Sequence, residues 1–200
     1  QVLALLPGSR VSEVDKLGRL FVDSWLEWRA AGGPSIAVMP CVNDRVRREM
    51  ERLIVDEDPN LILVDGDSQT VLAACDIALV KAGTSTLEAM LLRRPMAVSY
   101  RLGAITYRVV KSLVRSEHVA LPNILAGREL VPELIQDVAT PDNLARALAS
   151  EFARIHSADS PLGEFARLHD VLRRDASAVA ADVVLGVADG DRAAPNGASS

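Results

Sequence analysis

The sequence predicts an α/β protein built on a doubly wound parallel sheet. Three observations carry that prediction: short apolar runs without polar alternation, helical stretches between them, and small-residue turns where a run passes into a helix. Such a sheet is covered by helices on both faces, with right-handed crossovers. Its ligands are expected outside the carboxyl ends of the strands.

Val2–Leu6 reads as the first buried strand and Pro7-Gly8-Ser9-Arg10 as the turn after it. From Ser12 onward Val14, Leu17, Phe21, Trp25 and Trp28 follow helical spacing, Ser12 with Asp15 resembles a capping box, and Gly32-Gly33-Pro34 ends the helix. Ile36–Met39 is the second strand, Asp44–Val55 a strongly charged helix and Leu61–Val64 the third strand. Gln69–Ala74 is a short helix before the strand Ile77–Val80. Thr84–Leu92 is a helix stopped by Arg93-Arg94-Pro95, and Met96–Tyr100 is a further strand. Ile105–Arg115 is expected to be helical, His118–Leu121 extended, and Leu144–Ile155 and Phe165–Val184 helical. Residues 1–160 form the expected sheet domain and 161–185 a C-terminal helix; Gly186–Ser200, rich in Gly, Ala, Asp and Ser, is expected to be a disordered tail.

Composition narrows the function. The 200 residues suffice for one core, and 49% apolar with 24% charged residues is ordinary for a globular protein. Lys and Arg total 22 against 27 Asp and Glu, a net charge of −5, so no global positive field exists to hold a nucleic acid. Cys41 and Cys75 lack CxxC spacing and stand in apolar surroundings, as buried small hydrophobes of a reducing compartment do. No apolar run approaches the roughly 20 residues that span a bilayer, and no charged segment precedes a signal-type apolar stretch. The chain starts at Gln1 on what reads as a core strand, so an upstream part of the fold is expected.

Three strand-end segments carry candidate chemistry. In Pro7-Gly8-Ser9-Arg10, Gly8 lets backbone approach a ligand, Ser9 offers a hydroxyl, Arg10 a fork suited to phosphate, and the following helix its amides and positive dipole end. A tight turn with a surface arginine explains the same residues. Lys81-Ala82-Gly83-Thr84-Ser85-Thr86-Leu87-Glu88 again joins a strand to a helix. Gly83, Thr84 and Ser85 are placed to meet phosphate, and Glu88, one turn deeper, to take the hydroxyls of a ribose; the alternative is a capped helix with an early acid. No GxxxxGK[ST] is present, which excludes a P-loop nucleotidase. In Leu121-Pro122-Asn123-Ile124-Leu125-Ala126-Gly127-Arg128-Glu129, a stretch without periodicity, Asn123, Arg128 and Glu129 give more polar specificity than a connector needs, against the plain reading of a solvated loop. His118, His156 and His169 are scattered and no GxSxG elbow exists, which argues against a Ser-His-Asp hydrolase. Arg101, Arg108, Lys111 and Arg115 form a basic patch, a solvated helix face or a surface for anionic lipid headgroups or a partner subunit.

Leu6-Pro7-Gly8-Ser9-Arg10 with Ser12-Glu13, then Ala82-Gly83-Thr84-Ser85-Thr86-Leu87-Glu88-Ala89-Met90-Leu91, Arg94-Pro95-Met96, Tyr100-Arg101 and the run Leu121–Leu134 closely resemble the lipid-A-disaccharide synthases. The likeness runs in order from about Val2 to Leu148 and is most specific at Leu121–Leu134. It implies the Rossmann-like C-terminal domain of a GT-B glycosyltransferase. Such an enzyme moves 2,3-diacylglucosamine from its UDP carrier to 2,3-diacylglucosamine 1-phosphate (lipid X), giving lipid A disaccharide 1-phosphate and UDP, with no cofactor or metal. By the same resemblance Gly8, Ser9 and Arg10 meet the diphosphate, Gly83, Thr84 and Ser85 supply amides and hydroxyls, Glu88 holds the ribose, and Asn123, Arg128 and Glu129 line the cleft near the donor. Arg10, Asn123 and Arg128 are the candidate electrostatic stabilisers of leaving UDP, whereas Lys81 stands where a small residue is expected. The catalytic base is expected in an N-terminal acceptor domain outside this sequence, so the chain is expected to bind UDP but turn over nothing alone. A cytoplasmic location, peripheral on the inner membrane of a Gram-negative bacterium, and a homodimer are also implied. A UDP-sugar epimerase of the same fold and a non-catalytic nucleotide-binding module remain alternatives.

Overall fold

The computed structural model describes residues 1–54, 58–103, 118–173 and 180–187. The elements are β1 Val2–Leu6, α1 Val11–Ala30, β2 Ile36–Cys41, α2 Asp44–Leu53, β3 Leu61–Asp65, α3 Ser68–Ala74, β4 Ile77–Lys81, α4 Thr84–Leu91, β5 Met96–Tyr100, α5 Leu121–Ala126, β6 Glu133–Ile135, α6 Pro141–Arg154 and α7 Leu162–Leu172. The strands lie in the order β3-β2-β1-β4-β5-β6 and every pair is parallel. The α/β, doubly wound, Rossmann-like class expected from the sequence is the observed one. The order reverses between β1 and β4, and that crevice is where ligands bind in sheets of this kind.

The period of two along each strand builds two cores. Leu3 and Leu5 of β1 with Ile77 and Leu79 of β4 face a cluster closed by α1, α2 and α6, whereas Ala4, Leu6, Ala78 and Val80 face one that includes Met90 of α4 and Phe165 and Leu168 of α7. Helix α1 buries Val14, Leu17, Phe21, Trp25 and Trp28 as its spacing predicts. The Trp25 indole donates to the Pro34 carbonyl at 2.9 Å, and Trp28 meets Phe152 of α6 edge-on at 5.9 Å. Cys41 and Cys75 are free and buried, and burial pushes the Cys75 thiol up to about 11. Among the described residues no helix is long and apolar enough to cross a membrane.

Several expectations are corrected. The Ser12–Asp15 capping box does not form: α1 begins at Val11 with no side-chain cap, and Glu13 reaches back to the Ser9 amide instead. The supposedly irregular Leu121–Glu129 contains helix α5, which tolerates Pro122 in its first turn and closes on Gly127 in the left-handed conformation (φ 65). Leu121 is therefore helical rather than extended. Strand β6 had not been expected; it extends the sheet by pairing Val98 with Glu133 and Tyr100 with Ile135. The last helical stretch is observed as α7 and as residues 180–187, so Gly186 and Val187 are helical rather than tail. The expected helix Ile105–Arg115, with Arg108, Lys111 and Arg115, lies outside the described residues, as do residues 188–200.

Candidate functional site

A cleft of about 450 Å³ opens at the carboxyl ends of β1 to β4, directly over the switch point. Its wall is made by the β1–α1 turn with Glu13, the end of β2, the β3–α3 turn, and Lys81 with the start of α4. Of the ten site residues expected from the sequence, Gly8, Ser9, Arg10, Gly83, Thr84 and Ser85 line it.

The β1–α1 turn is folded around a carboxylate. Gly8 has φ +131, and a Cβ there would lie 2.3 Å from Glu13 Oε2 and 2.7 Å from Glu13 Cβ. Only glycine fits that close approach. Glu13, in the first turn of α1, accepts the Ser9 amide at 3.1 Å on Oε2, and the Lys81 ammonium at 3.0 Å and the Arg10 guanidinium at 3.4 Å on Oε1. Burial acts to raise the Glu13 pKa, but the hydrogen bond and charge of Lys81 with the amides of Ser9 and Arg10 outweigh it and hold the carboxyl below its ordinary value. Lys81 also lies over the Tyr100 ring, 5.5 Å from its centroid. Arg10 is 79% exposed and stands at the rim, tied among the described residues by its long contact with Glu13.

Helix α4 starts on Gly83 with no side-chain cap. Thr86 is fully buried rather than facing the cleft: its hydroxyl donates to the Gly83 carbonyl at 2.7 Å and accepts the Leu121 amide at 3.3 Å, fixing the turn and docking α5. Glu88 does not line the cleft itself; its carboxylate accepts the hydroxyl of Ser68, which does, at 3.5 Å.

The sequence reading passed over the β3–α3 turn Gly66–Gln69. It contributes Gly66, Asp67, Ser68 and Gln69 to the cleft, and Asp67 caps α3 by accepting the amides of Gln69 and Thr70 at 3.0 and 3.1 Å. Hydrogen bonds from the Thr70 hydroxyl and amide hold its carboxyl below the ordinary range. The signal was present: an Asx cap following a strand is the same strand-to-helix turn that marked the other two. Of the three helix starts on the cleft among the described residues, α3 is thus closed by a carboxylate while α1 and α4 have no side-chain cap. An anion is favoured at the latter two and opposed at the first.

The third expected segment lies apart. Asn123 is fully buried, donating to the Val131 carbonyl and to Glu133 Oε1, both at 2.8 Å, and accepting the amides of Leu130 and Val131 at 2.8 and 3.0 Å. Every polar position of its amide is thereby used within the fold. Arg128 and Glu129 are exposed beyond α5, and none of the three lines the cleft. Glu133 also accepts the amides of Val119 and Ala120 at 2.9 Å, so this network ties α5 to the sheet edge.

Residues 1–180 match the family model described as lipid-A-disaccharide synthetase. The chain is 48% identical over 187 residues to the lipid-A-disaccharide synthase of Pseudomonas paraeruginosa, covering 92% of this chain and 48% of that protein. It is 47% identical over 186 residues to that of Pseudomonas aeruginosa strain LESB58, with the same coverage. Against the synthase of Pseudomonas fluorescens the identity is 45% over 186 residues, with 93% and 49% covered. The chain therefore spans about half the length of the curated relatives it matches.

Proposed function

The chain belongs to the lipid-A-disaccharide synthase family, and from that premise we propose that it is the donor-binding half of a glycosyltransferase of lipid A biosynthesis. The donor is UDP-2,3-diacylglucosamine, the acceptor is lipid X, and the products are lipid A disaccharide 1-phosphate and UDP. The observation that carries the reading is the convergence of two helix starts without side-chain caps, α1 and α4, with Arg10 on one cleft at the switch point.

The diphosphate lies between the β1–α1 and β4–α4 turns, where amides and dipole ends point and the one carboxylate at hand, Glu13, is held by Lys81 and the Ser9 amide. The nucleoside extends toward Ser68, Gln69 and Glu88, on the side where Asp67 disfavours phosphate. As the glycosidic bond to UDP breaks, negative charge grows on the diphosphate, and preorganised amides with Arg10 stabilise it without reorganising. Arg128 is exposed, and it joins them only if the bound donor extends past α5. Asn123 acts from behind, as the tie that holds α5 and the Leu130–Val131 segment in place. The base that deprotonates the acceptor hydroxyl belongs to the other half of the enzyme, so this chain alone binds UDP and transfers nothing.

Both sugar substrates carry acyl chains, so the working enzyme meets a membrane surface, with Arg108, Lys111 and Arg115 as the proposed contacts. Arg101 is engaged elsewhere, donating to the Ala139 carbonyl. A homodimer stays part of the proposal on the strength of the family resemblance. Calorimetric titration of the 200-residue chain with UDP tests the reading: saturable binding in the millimolar range or tighter is expected, and no binding there removes it.

A further inference from the structure

The two turns assigned to the diphosphate are joined by one side-chain contact, Lys81 Nζ to Glu13 Oε1 at 3.0 Å, between residues 68 apart in sequence. Glu13 comes from the first turn of α1 and Lys81 from the last position of β4, so each sits at the foot of a different turn. Both side chains are mostly shielded from solvent, 16% and 18% exposed, and both line the cleft. The other carboxylate oxygen, Oε2, holds the Ser9 amide and packs directly beneath Gly8. Lys81 is in turn placed over the Tyr100 ring at the end of the neighbouring strand.

We infer that Glu13 and Lys81 form a positioning pair that sets the spacing of the β1–α1 and β4–α4 turns, and that Lys81 acts on the donor through Glu13 rather than as a direct phosphate ligand. The inference rests on the donor-site reading above and gives a task to two residues that reading leaves without one. An acid inside a diphosphate site otherwise has no favourable role, since it would repel the ligand. Neutralised by Lys81 and spent on Ser9 and Arg10, it becomes a brace for the donors instead. Loss of Glu13 leaves the shielded Lys81 ammonium without its counter-charge, and loss of Lys81 leaves the Glu13 carboxylate with only the long contact to Arg10 and the Ser9 amide, so the turn has reason to rearrange.

The test uses the 200-residue chain and its Glu13→Gln, Lys81→Met and Lys81→Arg variants, titrated with UDP and with uridine and followed by NMR, with thermal melting as the check on folding. Glu13→Gln and Lys81→Met are expected to raise the Kd for UDP about tenfold or more, the loss of one charge-assisted hydrogen bond, and to leave uridine unchanged because it has no phosphate. Lys81→Arg keeps the bridge and is expected within about threefold of wild type. Wild-type affinity for UDP in Glu13→Gln, with Lys81→Met weakened, would make Lys81 a direct ligand and overturn the inference. So would an equal loss of UDP and uridine binding in folded variants, which marks a merely structural pair. Failure of the wild-type chain to bind UDP is a separate result: it removes the donor site first and the brace with it.

Discussion

Replacing Gly8 by alanine separates two costs that usually come mixed. Gly8 has φ +131, a region that L residues occupy at a cost of about 1–3 kcal/mol. The new methyl would also lie 2.7 Å from Glu13 Cβ and 2.3 Å from Glu13 Oε2. The carboxylate could rotate away, but Glu13 Cβ is fixed by helix α1, so the turn itself must move by most of an ångström, an overpacking cost of about 1–3 kcal/mol. Gly32→Ala is the matched control: φ is +93 there and nothing lies within 4 Å of the added Cβ, so only the dihedral cost applies. For a chain of this size each kcal/mol lowers Tm by roughly 2–4 °C. Gly8→Ala is therefore expected to melt about 5–15 °C below wild type by circular dichroism and clearly below Gly32→Ala, and to lose UDP affinity that the control retains. Equal melting temperatures for the two variants would refute the argument that Glu13 packs under the turn.

Three further outcomes are expected. Arg10→Ala should weaken UDP binding by about 1.5–3 kcal/mol in a calorimetric titration while changing stability by less than about 0.5 kcal/mol, because the side chain is 79% exposed and makes no buried contact; unchanged affinity would return it to a surface arginine. Asn123→Ala should cost about 3–5 kcal/mol and roughly 10 °C in Tm, since it leaves the amides of Leu130 and Val131 and the Val131 carbonyl without their partner; a loss of UDP affinity at full stability would instead make Asn123 a ligand. Glu151 is buried, which pushes its pKa from 4.5 up to about 7 despite the Arg154 guanidinium at 2.9 Å. The folded state then holds that proton more tightly than the unfolded chain, so this group's stabilising contribution is complete below about pH 4.5 and is lost as pH rises through about 7. Denaturant unfolding of Glu151→Gln should accordingly gain about 2–3 kcal/mol on wild type between pH 5 and 8, and a flat difference would show the carboxyl ionised throughout.

What the sequence made legible follows how local each signal is. Met96–Tyr100 is read to the residue because an apolar run between Pro95 and Arg101 has sharp chemical ends. Strand β6 is three residues long, too short for a period to register, and only its pairing with β5 makes it a strand. Leu121–Glu129 reads as a loop because it lacks periodicity, although a six-residue helix is too short to show one, and the partners that satisfy Asn123 lie seven to ten residues ahead. A polar residue thus looked like a ligand-binding one because its own partners were not yet visible. The turns fared better for the opposite reason: Gly8 and Gly83 mark strand-to-helix reversals whose geometry is set within a few residues.

The charges of the cleft explain how a chain of net charge −5 can present a site for a diphosphate. Among the described residues its charged lining is Arg10 and Lys81 against Glu13 and Asp67, which gives no excess positive charge. Attraction must come from where the charges sit and what they are spent on. Asp67 is consumed as the cap of α3, and Glu13 is neutralised by Lys81 on the inner side of the turn. The starts of α1 and α4 are left without side-chain caps, and Arg10 is left at the rim. Directional donors of this kind lose their value once the turn that aims them shifts, whereas a diffuse field would not. Recognition by aim rather than by net charge is why the hydrogen-sized space beneath Gly8 matters as much to the proposed site as the guanidinium beside it.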